Sequence, residues 1–354
     1  MEIIYILPDK DAGVASVVRN LLKYKSDKFT TKTILLHDSQ NNPLIRIKDD
    51  FNSDVVIPIE YNGYWHSNSQ IARKIRKHLT NNSIVVSNDG GIELKSIKLL
   101  KFQIPIVYIV HGDNQYYYKV IKEYAGIIDG IIGVSKHVVT KAKSIKQCSN
   151  TIVSSIRFPV PANTYWKYAF DKKIRIAFVG TLVESKGVLE FEKIISKIES
   201  YNIPYHFNII GEGPLKKSLQ KVFQYNKNVS FKGSIDNLQV LQLHSEHDII
   251  ILPSKSEGLP VSIVEAMKAG VVPLASNIKS GIPELISDGV TGYKIEIGKE
   301  SEYAEHIRFL FKNPAKLQEM SKNCIAFANS EFDPLKQTLA YEAFYQHIID
   351  NFEI

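Results

Sequence analysis

Two consecutive doubly wound α/β units are the architecture that this 354-residue sequence predicts. Three observations carry that expectation. Short apolar runs alternate with amphipathic ones along the whole chain, the runs are apolar throughout, and the alternation stops once, near residue 160, before it restarts. Strands apolar on both faces belong to a parallel sheet with helices on each side. A chain of this length also exceeds what one compact core comfortably serves.

The elements follow in order. EIIYIL, TKTILLH, DVVIPI, SIVVS, IPIVYIV and IIDGIIGVS read as the strands of the first half, with helical patterns such as GVASVVRNLLKY and SQIARKIRKHL between them. FPVPANTYWKYAFDK (158–172) holds two prolines and no clean period, and is read as a linker. KIRIAFVG, YHFNIIG, NVSFKG, DIIILPS and VVPLAS then supply a second set of strands. The expected domains are therefore 1–160 and 161–333, with the amphipathic PLKQTLAYEAFYQHIID following the second. In open sheets of this kind ligands collect beyond the carboxyl ends of the strands, so two such units facing each other make a central cleft the default site.

Composition narrows the function. Apolar content of 44% and charged content of 23% describe an ordinary globular chain. Cys148 and Cys324 are too few and too far apart for a disulfide framework or a zinc site, which suits a reducing cytosol. MEIIYIL reads as a first strand rather than a signal peptide, and no apolar run approaches ~18 residues. Residues 1–165 hold 22 Lys/Arg against 14 Asp/Glu, a balance of +8, whereas 166–354 hold 22 against 23, a balance of −1. A basic first half, concentrated in RKIRKH and KHVVTKAKSIK, fits peripheral contact with an anionic membrane or a charged substrate; solvated helix faces account for it equally well. No aromatic-interleaved basic motif points to nucleic acid.

The chemistry concentrates in SEGLPVSIVEAM (256–267). The loop leaves the strand DIIILPS, Pro260 suits the first helical position, and Gly270 suits the stop. Free N–H groups at such a helix start form an anion site. Glu265 lies ~7.5 Å along the axis from Pro260, at ~1.5 Å per residue, and Glu257 lies on the other side of the helix start. Two acceptors flanking an anion hole match a sugar–diphosphate–ribose ligand. The competing arrangement pairs Glu265 with a buried Lys or Arg and leaves Glu257 on a solvated loop.

Other segments add to it. Lys186 in FVGTLVESKG precedes a helix start, where it can meet a phosphate as a point charge. IIGEGPLKKSL has only two glycines of a dinucleotide fingerprint, Gly211 and Gly213, which argues against a nicotinamide oxidoreductase. Gly13 opens a helix directly after the first strand, where backbone can approach a diphosphate or where Asp11 simply caps a turn. His111 ends a buried strand with Gly112. No His/Cys cluster has metal spacing, and no G-x-S-x-G or phosphate-binding P-loop appears, so chemistry without metal or bound cofactor is expected.

Together FVGTLVESKG, FNIIGEGPLKKSL, VSFKGSI, ILPSKSEGLPVSIVEAMKAGVVPLAS and SGIPELISDGVTGY resemble the family-4 retaining glycosyltransferases of the GT-B fold, two Rossmann-like domains facing a central cleft. The likeness is dense from about 174 to 295 and looser before, where Gly13, His111–Gly112 and GVSKHVV fit in position and type. It implies that Glu257 and Glu265 form the family's E-x7-E pair, Glu265 on ribose hydroxyls and Glu257 on the donor sugar. It implies Lys186 and the backbone of Gly258, Leu259, Pro260 and Val261 at the diphosphate, with Gly211, Gly213 and Ile235 lining the base and ribose pocket. It further implies Gly13 near the diphosphate, His111 near the transferred sugar, and a final helix, about 334–354, returning to the first domain.

The expected activity is transfer of a sugar, with retention, from a nucleotide sugar such as a UDP- or GDP-sugar to a glycan or lipid-linked acceptor in bacterial surface polysaccharide assembly, on the cytoplasmic face. Two departures qualify the resemblance. Thr181 stands where the family usually has the arginine of its G-R-L motif, and SSIRFPVP replaces an N-G-V-type turn. Thr181 keeps open a catalytically weak partner subunit that binds a nucleotide sugar; an epimerase of the same fold is the other alternative.

Overall fold

The computed structural model describes residues 1–10, 12–40, 51–64, 66–163, 172–235 and 237–352. Asp11, the candidate cap, lies outside them, as does the 164–171 part of the expected linker. The chain divides into two compact units, Met1–Pro161 with Phe332–Ile354, and Ala162–Glu331.

The first unit carries seven strands among the described residues: β1 (Glu2–Pro8), β2 (Thr30–Asp38), β3 (Val55–Tyr61), β4 (Ser83–Ser87), β5 (Ile106–Val110), β6 (Gly130–Gly133) and β7 (Ile152–Ser155). All pair in parallel in the order β3-β2-β1-β4-β5-β6-β7. The order reverses between β1 and β4, which makes their carboxyl ends the switch point of the sheet. α1 (Gly13–Lys23), α2 (Asn68–Arg76), α3 (Gly91–Leu100), α4 (Gln115–Tyr124) and α5 (Lys136–Lys143) cross between strands. Strands β4, β5 and β6 are buried at every residue, as both-face coverage demands. Ile4, Ile6, Val85, Val110 and Ile131 join one apolar cluster, each worth about 1.5–3 kcal/mol of burial.

Three local readings need correction. IIDGIIGVS is a 3-10 turn at Ala125–Ile127 followed by a strand of only four residues, because Asp129 leaves the apolar run and instead accepts the Ile106 N–H through Oδ2 at 2.8 Å. β7 carries no clear strand signal in the sequence, since IVSS is short, half polar and at the sheet edge. Phe158 and Val160, expected in the linker, are buried in this unit's core: Val160 donates to the Phe332 carbonyl, and the Phe158 and Phe332 rings lie 5.4 Å apart.

The second unit carries β8 (Ile174–Val179), β9 (Tyr205–Ile210), β10 (Val229–Gly233), β11 (Ile249–Leu252), β12 (Val272–Ser276) and β13 (Tyr293–Ile295) among the described residues. They form a parallel sheet ordered β10-β9-β8-β11-β12-β13, with its reversal between β8 and β11. The edge strand β13, three residues long, gave too short a run to be seen in the sequence. The helices are α6 (Phe191–Ser200), α7 (Lys216–Val222), α8 (Asn237–His244), α9 (Val261–Lys268), α10 (Ile282–Leu285), α11 (Glu300–Lys312) and α12 (Pro314–Glu331).

The last helix, α13 (Pro334–Asp350), belongs to the first unit, where it packs with α1 and buries Tyr341, Tyr345 and Ile348. Gly130 of β6 makes room for it, since a Cβ there would stand 2.8 Å from Ile348 Cδ1 and 2.9 Å from Phe344.

Candidate functional site

In the second unit the candidate residues gather at the carboxyl edge of the sheet. β8 ends into Gly180–Thr181, and Gly180 donates to the Ile210 carbonyl of β9. Gly211 in turn donates to Gly233 of β10 at 2.7 Å, and Leu182 to Glu212 at 2.8 Å, so three strand ends are stitched side by side. This packing explains the two glycines: a Cβ on Gly211 would fall 1.9 Å from the Gly180 carbonyl oxygen, and one on Gly213 2.5 Å from that of Leu182. Gly211 also sits at φ 135°, which side chains avoid. Half-buried Thr181 lies within the stitched loop, and half-buried Ile235 two residues beyond β10.

The loop after β8 then meets the loop after β11. Lys186 closes a 3-10 turn, Glu184–Lys186, and Gly187 follows at φ 68°, against Pro253 so tightly that a Cβ would stand 1.8 Å from its carbonyl oxygen. Lys255 N–H donates to Ser185 O at 2.8 Å. Lys186 Nζ donates to Glu257 Oε1 at 2.7 Å, with Glu257 buried and Lys186 half-buried. Glu257 is thus neither solvated nor alone.

Past Glu257 the chain turns into α9. Pro260 is the N-cap rather than the first helical residue, in extended conformation, because its carbonyl already accepts from Ile263 at 3.2 Å. Gly258 is tied by its carbonyl to the Gly281 N–H at 2.7 Å, and Leu259 and Pro260 are buried. Among the described residues the N–H groups of Val261 and Ser262 meet no acceptor, which leaves two aligned donors at the positive end of the helix.

Glu265 sits one turn further in, only 5% exposed. Its carboxyl makes no hydrogen bond or ion pair among the described residues, and burial pushes its pKa up to about 8. The arrangement with a buried Lys or Arg partner is therefore not the one adopted. A buried carboxyl without a partner costs stability unless a ligand supplies donors.

In the first unit Gly13 is the first residue of α1, exposed, behind Ala12, which caps with backbone alone. His111 follows β5, half-buried, with Nε2 3.1 Å from Asn88 Oδ1. Burial holds its imidazole neutral, lowering the pKa to about 3. The loop after β4 was not singled out in the sequence, yet it is densely built. Glu93 Oε2 accepts from Asn88 N–H at 3.1 Å, from Gly90 N–H at 3.3 Å and from Ser87 Oγ, and burial raises Glu93 to about 8. The signal was there in SNDGGIE, a Glu three residues after a glycine N-cap.

Among the described residues no group of three or more His, Cys, Asp or Glu could hold a metal ion, and no helix is long and apolar enough to cross a membrane.

This geometry has counterparts. Residues 164–327 match the family profile described as Glycosyl transferases group 1. An "Uncharacterized 41.2 kDa protein in cps region" of Klebsiella pneumoniae is 28% identical over 244 residues, 66% of this chain and 60% of that protein. The O-antigen biosynthesis glycosyltransferase WbnH of Escherichia coli is 29% identical over 231 residues, 60% of this chain and 64% of that protein. The matches thus span less than two thirds of either relative. Among solved structures, Anabaena Alr3699/HepE in complex with UDP and glucose superimposes with a TM-score of 0.80 at 16% identity, covering 98% of this chain and 99% of that one. That likeness shows the fold, GT-B with two Rossmann-like domains.

Proposed function

We propose, from a second unit that is a glycosyl transferases group 1 domain, that this protein moves a sugar from a nucleoside-diphosphate sugar to a hydroxyl of a glycan or lipid-linked acceptor. The observation that carries the reading is the Lys186–Glu257 pair set at the sheet's switch point, on the loop that leads into the unfilled N–H groups of α9. Together they offer one cation and two backbone donors to a diphosphate, beside a carboxylate for sugar hydroxyls. Glu265, buried and unpartnered, supplies the acceptor that a ribose diol needs.

The chemistry follows from charge. As the bond from the anomeric carbon to the diphosphate breaks, negative charge grows on the leaving oxygens, where Lys186 and the Val261 and Ser262 N–H groups stabilise it. The departing diphosphate then accepts the acceptor's proton on the same face, which gives retention with no protein nucleophile. Glu257 and Glu265 orient and bind, unlike the acid and nucleophile of a glycosidase. Lys186 supplies the countercharge that a divalent metal would otherwise provide, so transfer proceeds without metal or bound cofactor.

The names of the relatives, one in a cps region and one in O-antigen biosynthesis, support a bacterial surface polysaccharide as the product. The first unit takes the acceptor, and the family resemblance marks His111 and Gly13 as its contact residues. Its exposed Arg73, Arg76 and Lys77 on and after α2, and Lys136 and Lys143 on α5, support a peripheral seat on the anionic inner face of the membrane.

Incubating the full chain with a panel of UDP- and GDP-sugars, with and without lipid-linked acceptors, tests the reading. Donor turnover that falls roughly 10²- to 10³-fold in Lys186→Ala and is lost in Glu257→Ala supports it. Nucleotide binding with no turnover of any donor would instead favour the non-catalytic partner that Thr181 keeps in play.

A further inference from the structure

The switch point of the first sheet is closed by a side chain to which the proposed chemistry assigns no role. Asn88 follows the last residue of β4 and is fully buried. Its Nδ2 donates to Ile6 O of β1 at 3.1 Å and to Val86 O of β4 at 3.2 Å. Carbonyl oxygens only accept, so the nitrogen end of the amide is fixed in place by both. Its backbone is held equally, with Asn88 N–H shared between Ile6 O and Glu93 Oε2, each at 3.1 Å.

That leaves Oδ1 turned toward the end of β5, 3.1 Å from His111 Nε2. An amide oxygen carries no hydrogen, so this contact is a hydrogen bond only when Nε2 carries one. A neutral imidazole has a single N–H, and Nδ1 then keeps its lone pair. An aspartate at position 88 could not hold the two carbonyls, and a histidine released from Oδ1 could adopt either tautomer.

We propose that Asn88 is a positioning residue that holds His111 in its Nε2–H form, so that Nδ1 serves only as a hydrogen-bond acceptor for a sugar hydroxyl. His111 is then neither a proton donor nor a cation toward the ligand. The hydroxyl belongs to the donor sugar or to the acceptor, and this part rests on the transferase reading; the tautomer does not.

Long-range 1H–15N spectra of the full chain, with His111 assigned through His111→Gln, read the tautomer directly. A protonated Nε2 beside an unprotonated Nδ1 is expected; a protonated Nδ1, or an imidazolium near neutral pH, overturns the proposal whatever the enzyme does. Asn88→Leu should yield a mixture of tautomers and cost kcat roughly 10- to 100-fold, the usual scale for removing the outer partner of a functional imidazole, with donor KM little changed. An Asn88→Leu protein that keeps one Nε2–H tautomer and full turnover also overturns it. Donor hydrolysis without acceptor separates the sources: if hydrolysis and transfer fall together the hydroxyl is the donor's, and if transfer alone falls it is the acceptor's. The expected tautomer in a chain that turns over no donor supports the Asn88 assignment and defeats the transferase reading.

Discussion

Lys186 Nζ donates to Glu257 Oε1 across 2.7 Å, joining the loops that leave β8 and β11 from positions 71 residues apart in the chain. Because the lysine is half-exposed, the pair contributes at most about 1 kcal/mol to folding. Its weight falls on the reaction instead, where one preorganised donor is commonly worth roughly 10²–10³ in kcat. Lys186→Ala should therefore lose about that much turnover while its melting temperature stays within a few degrees of wild type. A large thermal loss with turnover intact would assign the pair to stability.

Glu265 retains its proton in the folded chain up to about pH 8, well above the ordinary 4.5. Between those values the folded state binds a proton that the unfolded chain has released, so stability falls as pH rises and levels off above about 8. Glu93, raised in the same way, contributes a slope of the same sign. Comparing Glu265→Gln with wild type isolates one of the two: the variant should gain on wild type across that window, by on the order of a few kcal/mol at the alkaline end. Titration calorimetry with UDP above about pH 8, where Glu265 has released its proton, should show the same variant binding at least about tenfold more weakly, as expected for a lost charged acceptor.

Gly187 and Gly211 hold the loops in place by close approach to backbone. Alanine at either would set its Cβ within 2 Å of a carbonyl oxygen, at a φ that alanine avoids. Each substitution should cost roughly 2–4 kcal/mol, read as a lower denaturation midpoint. Gly187→Ala should also reduce donor turnover, since Gly187 directly follows Lys186.

Gly130→Val tests the returning helix. The new methyls would meet Ile348 and Phe344 and push α13 from β6, at a cost of about 1–3 kcal/mol. Limited proteolysis should then cut preferentially near the end of α12, whereas an unchanged digestion pattern would show that β6 does not govern docking.

Thr181→Arg restores the charge usual in the resembling family. Thr181 sits half-buried in the loop stitched between β8 and β9. An arginine there should tighten UDP binding, and the gain should shrink as salt is raised.

The two-unit architecture was legible because both-face burial demands apolar strands, and eleven of the thirteen described strands fell in the short apolar runs of the sequence, the partly exposed edge strands β3 and β10 among them. The two that did not, β7 and β13, are short edge strands whose residues are half polar or few. SEGLPVSIVEAM was legible for a related reason: an acid inside an apolar helix contradicts its local pattern, and such conflicts mark function.

What the sequence by itself determined about this protein is the order of elements and the position of its acids at a helix start, because both are set by periodicity and by contacts near in the chain; the return of the final helix was implied by the family resemblance alone. Only the tertiary structure decided how those groups are partnered. Lys186 meets Glu257, Glu265 meets nothing among the described residues, and Asn88 turns its oxygen to His111. Each outcome depends on which strand ends the parallel order brings side by side, and that juxtaposition of distant residues leaves no trace in any local run of side chains.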